Sequence, residues 1–129
     1  MKPWKDEKNA PATGQLLCQL ADLADSEVFE LTLAPESKYP FRLFIHKQEG
    51  GYRCFMNRCP HFGIPLNMQP RQLFSTDKQQ FICSTHYARF NFHDGFCTEG
   101  PCEGSSLEVI PIETRNAAIY VAATAGSGH

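Results

Sequence analysis

The segment RCPHFGIPL, residues 58–66, limits the local structure of this chain more than any other. Cys59 and His61 stand two positions apart in it, among two prolines and a glycine. Proline fixes φ and has no amide proton, whereas glycine lets another group approach the backbone closely. The segment is therefore predicted to be a stiff loop rather than part of a helix or a regular strand. A thiol and an imidazole held in a stiff loop indicate half of a metal site.

A second pair of the same residue types occurs in ICSTHYARF, residues 82–90. Cys83 and His86 follow the first pair after an interval of 21 residues. Two such loops, each at the tip of a hairpin, can face each other and offer two thiolates and two imidazoles to a metal centre. These residue types suit an iron–sulfur cluster or a Cys2His2 zinc site.

The composition is that of one globular domain. The chain has 129 residues, of which 42% are hydrophobic and 20% charged, and its net charge is −2. The Lys and Arg residues are scattered, so we expect neither a nucleic-acid partner nor a membrane partner. The first 14 residues lack the apolar run of a signal peptide or a membrane span, which predicts a cytoplasmic protein. In that compartment the six cysteines are expected to be core thiols or metal ligands.

Short runs of β-branched and aromatic residues alternate with turn signals, which predicts an all-β, antiparallel fold. A Gly-Gly turn at 50–51 joins residues 41–47 and 52–57 in one hairpin, and His93-Asp94-Gly95 closes another. Other strand candidates are residues 15–20, 28–33, 107–112 and 118–121. We predict a single domain over 1–129, with a mobile arm at 1–13 and a flexible tail at 123–129.

The ligand motifs, taken in order, are similar to those of a known family. C-P-H-x-G-x-P-L, then C-x-x-H, then R-F-x-F-x-x-G and a Gly-Pro pair at 100–101 together resemble the Rieske iron–sulfur family, over about residues 15–122. The resemblance implies a Rieske-type β sandwich or barrel in which a small cluster-binding lobe, at about residues 54–104, holds one 2Fe-2S cluster. It also implies Cys59 and Cys83 as ligands of the inner iron, and His61 and His86 as ligands of the outer iron.

Several positions depart from the family pattern. Ile64 and Thr85 stand where the cytochrome bc branch has two disulfide-forming cysteines. Ala88 and Phe90 stand where that branch has hydroxyl donors to the cluster sulfurs, so a lower reduction potential is expected. Tyr87 follows the second histidine where the family usually has glycine. The chain most resembles soluble Rieske ferredoxins.

The function implied by this resemblance is one-electron transfer, with no catalytic residues of its own. The expected partners are a reductase and a terminal acceptor such as an oxygenase. Two alternatives remain open at this point: a small Rieske subunit of a larger oxidoreductase, and a structural zinc module.

The remaining cysteines and histidines are predicted to have no part in the site. Cys97 and Cys102 are expected to be free thiols, although they are close in sequence. Cys18 and Cys54 are expected to be small core residues on strands. His46 shares one face of its predicted strand with Arg42, so we expect the His46 side chain to be solvated. His93 lies in a predicted turn, and we expect it to be solvated as well.

Overall fold

The computed structural model describes residues 3–48, 50–60, 63–67, 73–84 and 87–123. These residues form ten β-strands and two short 3₁₀ helices, with no α-helix among them. The strands are β1 Leu16–Gln19, β2 Val28–Leu33, β3 Phe41–Gln48, β4 Gly51–Met56, β5 Gln80–Ile82, β6 Arg89–Asn91, β7 Cys97–Glu99, β8 Val109–Ile110, β9 Ile112–Arg115 and β10 Ala118–Val121. The 3₁₀ helices are Trp4–Asp6 and Leu20–Leu23. The predicted all-β class is confirmed.

The strands form three antiparallel sheets. One sheet has the order β1-β10-β9 and pairs the first strand of the chain with the last. A second has the order β2-β3-β4-β8, and the third has the order β5-β6-β7. We call residues 59–66 the first ligand loop and residues 83–88, which connect β5 to β6, the second ligand loop. In the part of the chain that the structure describes, no helix is long and apolar enough to cross a membrane.

The four-stranded sheet is covered on both faces, which sets the position of the third sheet. Leu43 and Ile45 of β3 belong to a core cluster shared with β1 and β10. Phe44, on the opposite face, belongs to a second cluster that contains Cys59 and Cys83. We call this second group the ligand-side core. Its aromatic rings make close contacts, and Phe44 lies 4.9 Å from Phe81 of β5 between ring centroids.

The prediction for His46 is wrong. The residue is only 4% exposed, and its ring centroid lies 4.4 Å from that of Phe92 and 5.1 Å from that of Phe81. The sequence alternation suggested a solvated face, but the third sheet packs on that face and removes it from water. Nδ1 of His46 has no hydrogen-bond partner among the described residues. Burial lowers the pKa of His46 below its usual value, and the nearby Glu27 carboxylate opposes this with a smaller effect.

The hairpin turn at 93–95 has the predicted conformation. Gly95 has φ +74°, the left-handed region that a tight Asp-Gly turn requires. Its N–H donates to the carbonyl oxygen of Asn91 at 2.9 Å, and the N–H of Phe96 donates to the Asp94 carboxylate at 2.9 Å. The turn joins β6 to β7 and so completes the third sheet.

Residues 3–13 contact the body of the domain. The N–H of Trp4 donates to Oε1 of Glu108 at 2.8 Å, and the Arg58 guanidinium is paired with the carboxylates of Glu7 and Glu108. Only 11% of the Arg58 side chain is exposed, against 24% for Glu7 and 34% for Glu108, so these ion pairs are partly shielded from water. The first segment of the chain is thus joined to the residue before Cys59. Its mobility in solution stays a prediction.

Gly100 lets the Gly-Pro turn pack closely against the second ligand loop. It has φ +101°, and a Cβ at this position would lie 2.7 Å from Cα of Ala88. The atom met is backbone, which cannot rotate away, so only glycine fits without moving the loop. Gly104, in the same turn, has a similar φ of +93°, but a Cβ added there would meet nothing within 4 Å.

We expect Gly100→Ala to lower the free energy of unfolding by about 1–3 kcal/mol more than Gly104→Ala, because only the former forces the backbone of Ala88 to move. Both variants carry the strain of alanine at positive φ, so their difference isolates the steric contact. Denaturant unfolding of the two variants measures it. Equal stability of the two variants would contradict the close packing of Gly100 on Ala88.

The buried His46 predicts an acid-dependent loss of stability. The unfolded chain binds a proton at this imidazole near the usual pKa of 6.5, whereas the folded chain resists protonation. The free energy of unfolding therefore falls as the pH drops below that value, and the effect is absent where both states are neutral, above about pH 7.5. His46→Phe removes the titrating group from a pocket of aromatic rings. In urea titrations, the wild type should lose stability more steeply than this variant toward about pH 5; parallel pH curves would contradict the prediction.

Candidate functional site

The first ligand loop is closed at its base by Asn57, which directly follows β4. Oδ1 of Asn57 accepts the N–H of Leu66 at 2.7 Å, and its Nδ2 donates to Oδ1 of Asn67 at 2.7 Å. Asn57 is 7% exposed, so these hydrogen bonds are largely protected from water. One buried amide side chain therefore holds the far end of the loop beside its beginning.

Inside this loop, Cys59 makes both of its backbone hydrogen bonds locally. Its N–H donates to the carbonyl oxygen of Ile64 at 2.7 Å, and its carbonyl oxygen accepts the N–H of Gly63 at 2.8 Å. Gly63 has φ +71°, which closes the turn at little steric cost because the residue has no Cβ. The stiff loop predicted from the sequence is thus a compact hydrogen-bonded turn with Cys59 at its base.

The second ligand loop repeats this hydrogen-bond pattern. The N–H of Cys83 donates to the carbonyl oxygen of Ala88 at 2.9 Å, and its carbonyl oxygen accepts the N–H of Tyr87 at 2.8 Å. In both loops the cysteine bonds to the residues four and five positions later. Tyr87 occupies the position of Gly63 and has φ +60°, a left-handed conformation that is unfavourable for an aromatic residue. This geometry explains why glycine suits the position.

Two hydrogen bonds join the loops to each other. The carbonyl oxygen of Leu66, at the end of the first loop, accepts both the N–H of Ser84 at 2.7 Å and its hydroxyl at 2.6 Å. Ser84 directly follows Cys83. The two cysteine-bearing turns are thus held together by contacts outside any metal centre.

The two cysteines are buried together. Cys59 is 1% exposed and Cys83 is fully buried, and both belong to the ligand-side core. Two thiol side chains entering one dry, apolar cluster from adjoining loops suit the inner half of an iron–sulfur site. The other two predicted ligands, His61 and His86, lie outside the described residues, as does Thr85. Among the residues that are described, no group of three or more His, Cys, Asp or Glu side chains forms a metal-binding set.

The positions that lack hydroxyl donors are also buried. Ala88 is 1% exposed and Phe90 is fully buried, so apolar side chains stand at these two places in the core. Leu66 is fully buried as well, whereas Ile64 is 37% exposed and Tyr87 is 70% exposed. Among the described residues of the two loops, the apolar side chains therefore include both buried and exposed ones.

The other cysteines are buried free thiols, as predicted. Cys18 and Cys54 lie in the core cluster on the far face of β3, and burial raises the pKa of Cys18 to about 11. Cys97 and Cys102 lie in the ligand-side core, with their Sγ atoms 3.2 Å apart. Burial raises the pKa of the Cys102 thiol, and hydrogen bonding to Cys97 and to Cys59 acts in the same direction. No sequence signal indicated that Cys102 approaches Cys59.

Sequence reasoning also missed the polar residues that shape the loops. Asn57, Arg58 and Ser84 flank Cys59 and Cys83 in the sequence, and no role was predicted for any of the three. Their positions next to Cys59 and Cys83 were the available signal, because a polar side chain beside a buried residue usually needs a partner. The identity of each partner depends on tertiary contacts.

Comparison with known protein families identifies the domain. A family model described as the Rieske [2Fe-2S] domain matches residues 13–116. A comparison with curated protein sequences finds no match.

Solved structures share the fold. The ferredoxin of carbazole 1,9a-dioxygenase from Nocardioides aromaticivorans IC177 is 18% identical, with a TM-score of 0.64, 88% of this chain covered and 100% of that one. The terminal oxygenase of the same enzyme and organism is 16% identical, with a TM-score of 0.67 and 92% of this chain covered. A carbazole-bound oxygenase and ferredoxin complex of carbazole 1,9a-dioxygenase is 15% identical, with a TM-score of 0.66 and 86% of this chain covered. The chain spans only 32% and 28% of the matched chains in these last two structures.

The family match extends over most of the chain and includes both cysteine-bearing loops and every strand except β10. The two buried cysteines suit the sulfur ligation that a 2Fe-2S cluster requires. The chain therefore belongs to the Rieske [2Fe-2S] domain family and carries one 2Fe-2S cluster.

Proposed function

We propose that this protein is a one-electron carrier, with Cys59 and Cys83 as thiolate ligands and His61 and His86 as imidazole ligands of its cluster. The observation that carries the proposal is the arrangement of the two cysteines. They lie at the bases of two loops with the same hydrogen-bond pattern, and Ser84 and Leu66 join these loops. When bound, a 2Fe-2S cluster supplies reversible one-electron chemistry.

The proposed site has a buried side, which holds the two cysteines, and an exposed side. Cys59 and Cys83 are shielded from water, whereas Tyr87 and Ile64 are exposed beside the segments that contain the two histidines. Electrons are therefore proposed to enter and leave on the imidazole side. This role requires neither a substrate pocket nor a catalytic acid or base, so the protein is proposed to act as a carrier rather than as an enzyme.

The proposed partners are a reductase and a terminal acceptor such as an oxygenase, and the proposed location is the cytoplasm. The likeness to a ferredoxin over that protein's full length supports a separate carrier. The likeness to the terminal oxygenase supports the alternative, a small Rieske subunit of a larger oxidoreductase. Gel filtration of native extract distinguishes the two, because a bound subunit would elute with a large enzyme and a carrier would elute near its own size of 14.5 kDa.

The decisive test of the site is the metal content of matched cysteine variants. Cys83→Ser should lose most of the iron and acid-labile sulfide, because serine replaces a thiolate ligand. Cys54→Ser is the control: its thiol is equally buried but lies in the other core cluster. It should keep wild-type iron and sulfide per folded chain. Full iron and sulfide in Cys83→Ser would contradict the ligand assignment, and zinc without sulfide in the wild type would favour a structural zinc module.

The exposed aromatic residue of the second loop is proposed to contact the redox partner. Tyr87 is 70% exposed, although its φ of +60° makes its conformation costly. Tyr87 and Ile64 are the exposed apolar residues among the described parts of the two loops. A strained and exposed aromatic residue contributes little to the core, which supports a role at the surface instead.

The conformational strain of Tyr87 predicts how two substitutions differ. Tyr87→Gly should be more stable than Tyr87→Ala by about 1 kcal/mol, because glycine adopts a positive φ without a Cβ clash. Both variants lose the same ring, so their difference reports the backbone alone. Denaturant unfolding of the two holoproteins measures this difference in the free energy of unfolding. A Tyr87→Ala variant as stable as Tyr87→Gly would show that the turn is not strained at this residue.

A further inference from the structure

A second pair of thiols lies beside the ligand loops and has no part in the proposed ligand set. Cys97 belongs to β7, and Cys102 lies in the turn that follows it. Their Sγ atoms are 3.2 Å apart, and the two residues are fully buried and 3% exposed, respectively. A disulfide bond is about 2.05 Å long, so the sulfur atoms need to approach by only about 1 Å to form one.

The backbone keeps these two side chains next to each other. The N–H of Cys97 donates to the carbonyl oxygen of Ser105 at 2.8 Å, and its carbonyl oxygen accepts the N–H of Gly104 at 3.2 Å. The N–H of Ser105 donates to the carbonyl oxygen of Cys102 at 2.9 Å. The turn therefore folds back on the strand that carries Cys97, which holds Cys102 against it before any bond forms.

Cys102 lies in a short turn whose other residues are exposed. Pro101 and residues 103–106 are exposed, and Cys102 is the one buried residue between them. Opening of this short turn would expose the thiol while the three sheets stay intact. Cys18 and Cys54, in contrast, lie on paired strands in the other core cluster, so their exposure requires much larger opening.

We propose that Cys97 and Cys102 form a reversible disulfide bond with a low-molecular-weight disulfide as the oxidant. The thiolate of Cys102 attacks one sulfur of the oxidant and breaks its S–S bond, which releases one small thiolate. The thiolate of Cys97 then attacks Sγ of Cys102 in the mixed disulfide and releases the second. The two protein thiols lose two electrons, and their protons pass to the two released small thiols.

A Cys97–Cys102 disulfide would also prevent Cys102 from forming a disulfide with Cys59. Cys59, a proposed cluster ligand, belongs to the same buried core cluster as Cys97 and Cys102. Pairing with Cys97 removes Cys102 from competition for Cys59 and leaves Cys59 for the proposed cluster. It also closes the turn that packs through Gly100 on Ala88. The oxidised form is thus expected to be more stable than the reduced form.

The test uses the holoprotein, incubated without oxygen in either reduced or oxidised glutathione. The samples are then denatured and alkylated, and their thiols are mapped by mass spectrometry. Glu99 lies between the two cysteines, so cleavage after glutamate leaves them joined only through a disulfide. In oxidised glutathione, we expect this cross-link, two fewer alkylated thiols and a melting temperature higher by about 5 °C. Cys97→Ser and Cys102→Ser should lose both the cross-link and the rise, whereas Cys54→Ser should keep both.

Two outcomes would overturn the proposal. Equal alkylation of all six cysteines in both buffers would show that Cys97 and Cys102 do not oxidise. A cross-link between Cys102 and Cys59 would show that Cys102 pairs with Cys59 rather than with Cys97. Iron and sulfide are assayed on the same samples. Absence of iron and sulfide would contradict the proposed ligand assignment. The Cys97–Cys102 disulfide is detected in its own cross-linked peptide, so its presence or absence is read independently of the iron result.

Discussion

The carbonyl oxygen of Leu66 is the point on which the site depends most. It accepts two hydrogen bonds from Ser84, so a single backbone atom joins the end of the first ligand loop to the start of the second. Each loop alone is a short turn that could move relative to the other. Joined at this atom, both turns present their cysteines to the same dry cluster. A metal centre formed from two separate loops needs such a contact, because ordering the loops at the moment of binding would cost conformational entropy.

The similarity of the two loops shows how local chemistry sets their shape. Each has a cysteine that bonds to the residues four and five positions later, and each needs a left-handed residue at the fourth position. The first loop meets this need with Gly63, and the second with Tyr87. The second loop thus retains an unfavourable conformation and an exposed ring where glycine would fit. The unfavourable backbone conformation of Tyr87 therefore lies at the surface, next to the residues proposed to exchange electrons.

The sequence predicted those features that depend on local pattern. The hairpins, the Asp94-Gly95 turn and the stiff loop at Cys59 follow from turn chemistry and strand periodicity, and the structure contains them. His46 was misplaced because alternation reports only that a strand has two faces, not what covers each face. The three-residue strand β5 was missed because it is too short to show a period. The approach of Cys102 to Cys59 depends on how a distant turn packs, which local pattern does not encode.

The ion pairs of Arg58 connect the first residues of the chain to the first ligand loop. Arg58 directly precedes Cys59, and its two carboxylate partners, Glu7 and Glu108, come from opposite ends of the sequence. Because the guanidinium is 11% exposed, removing either carboxylate would leave charge in a partly dry environment. The loop is therefore fixed on one side by Asn57 and Leu66, through neutral hydrogen bonds, and on the other by a charged contact. A segment without sequence motifs thus contributes to the position of a proposed ligand, since its carboxylate satisfies the arginine that precedes that ligand.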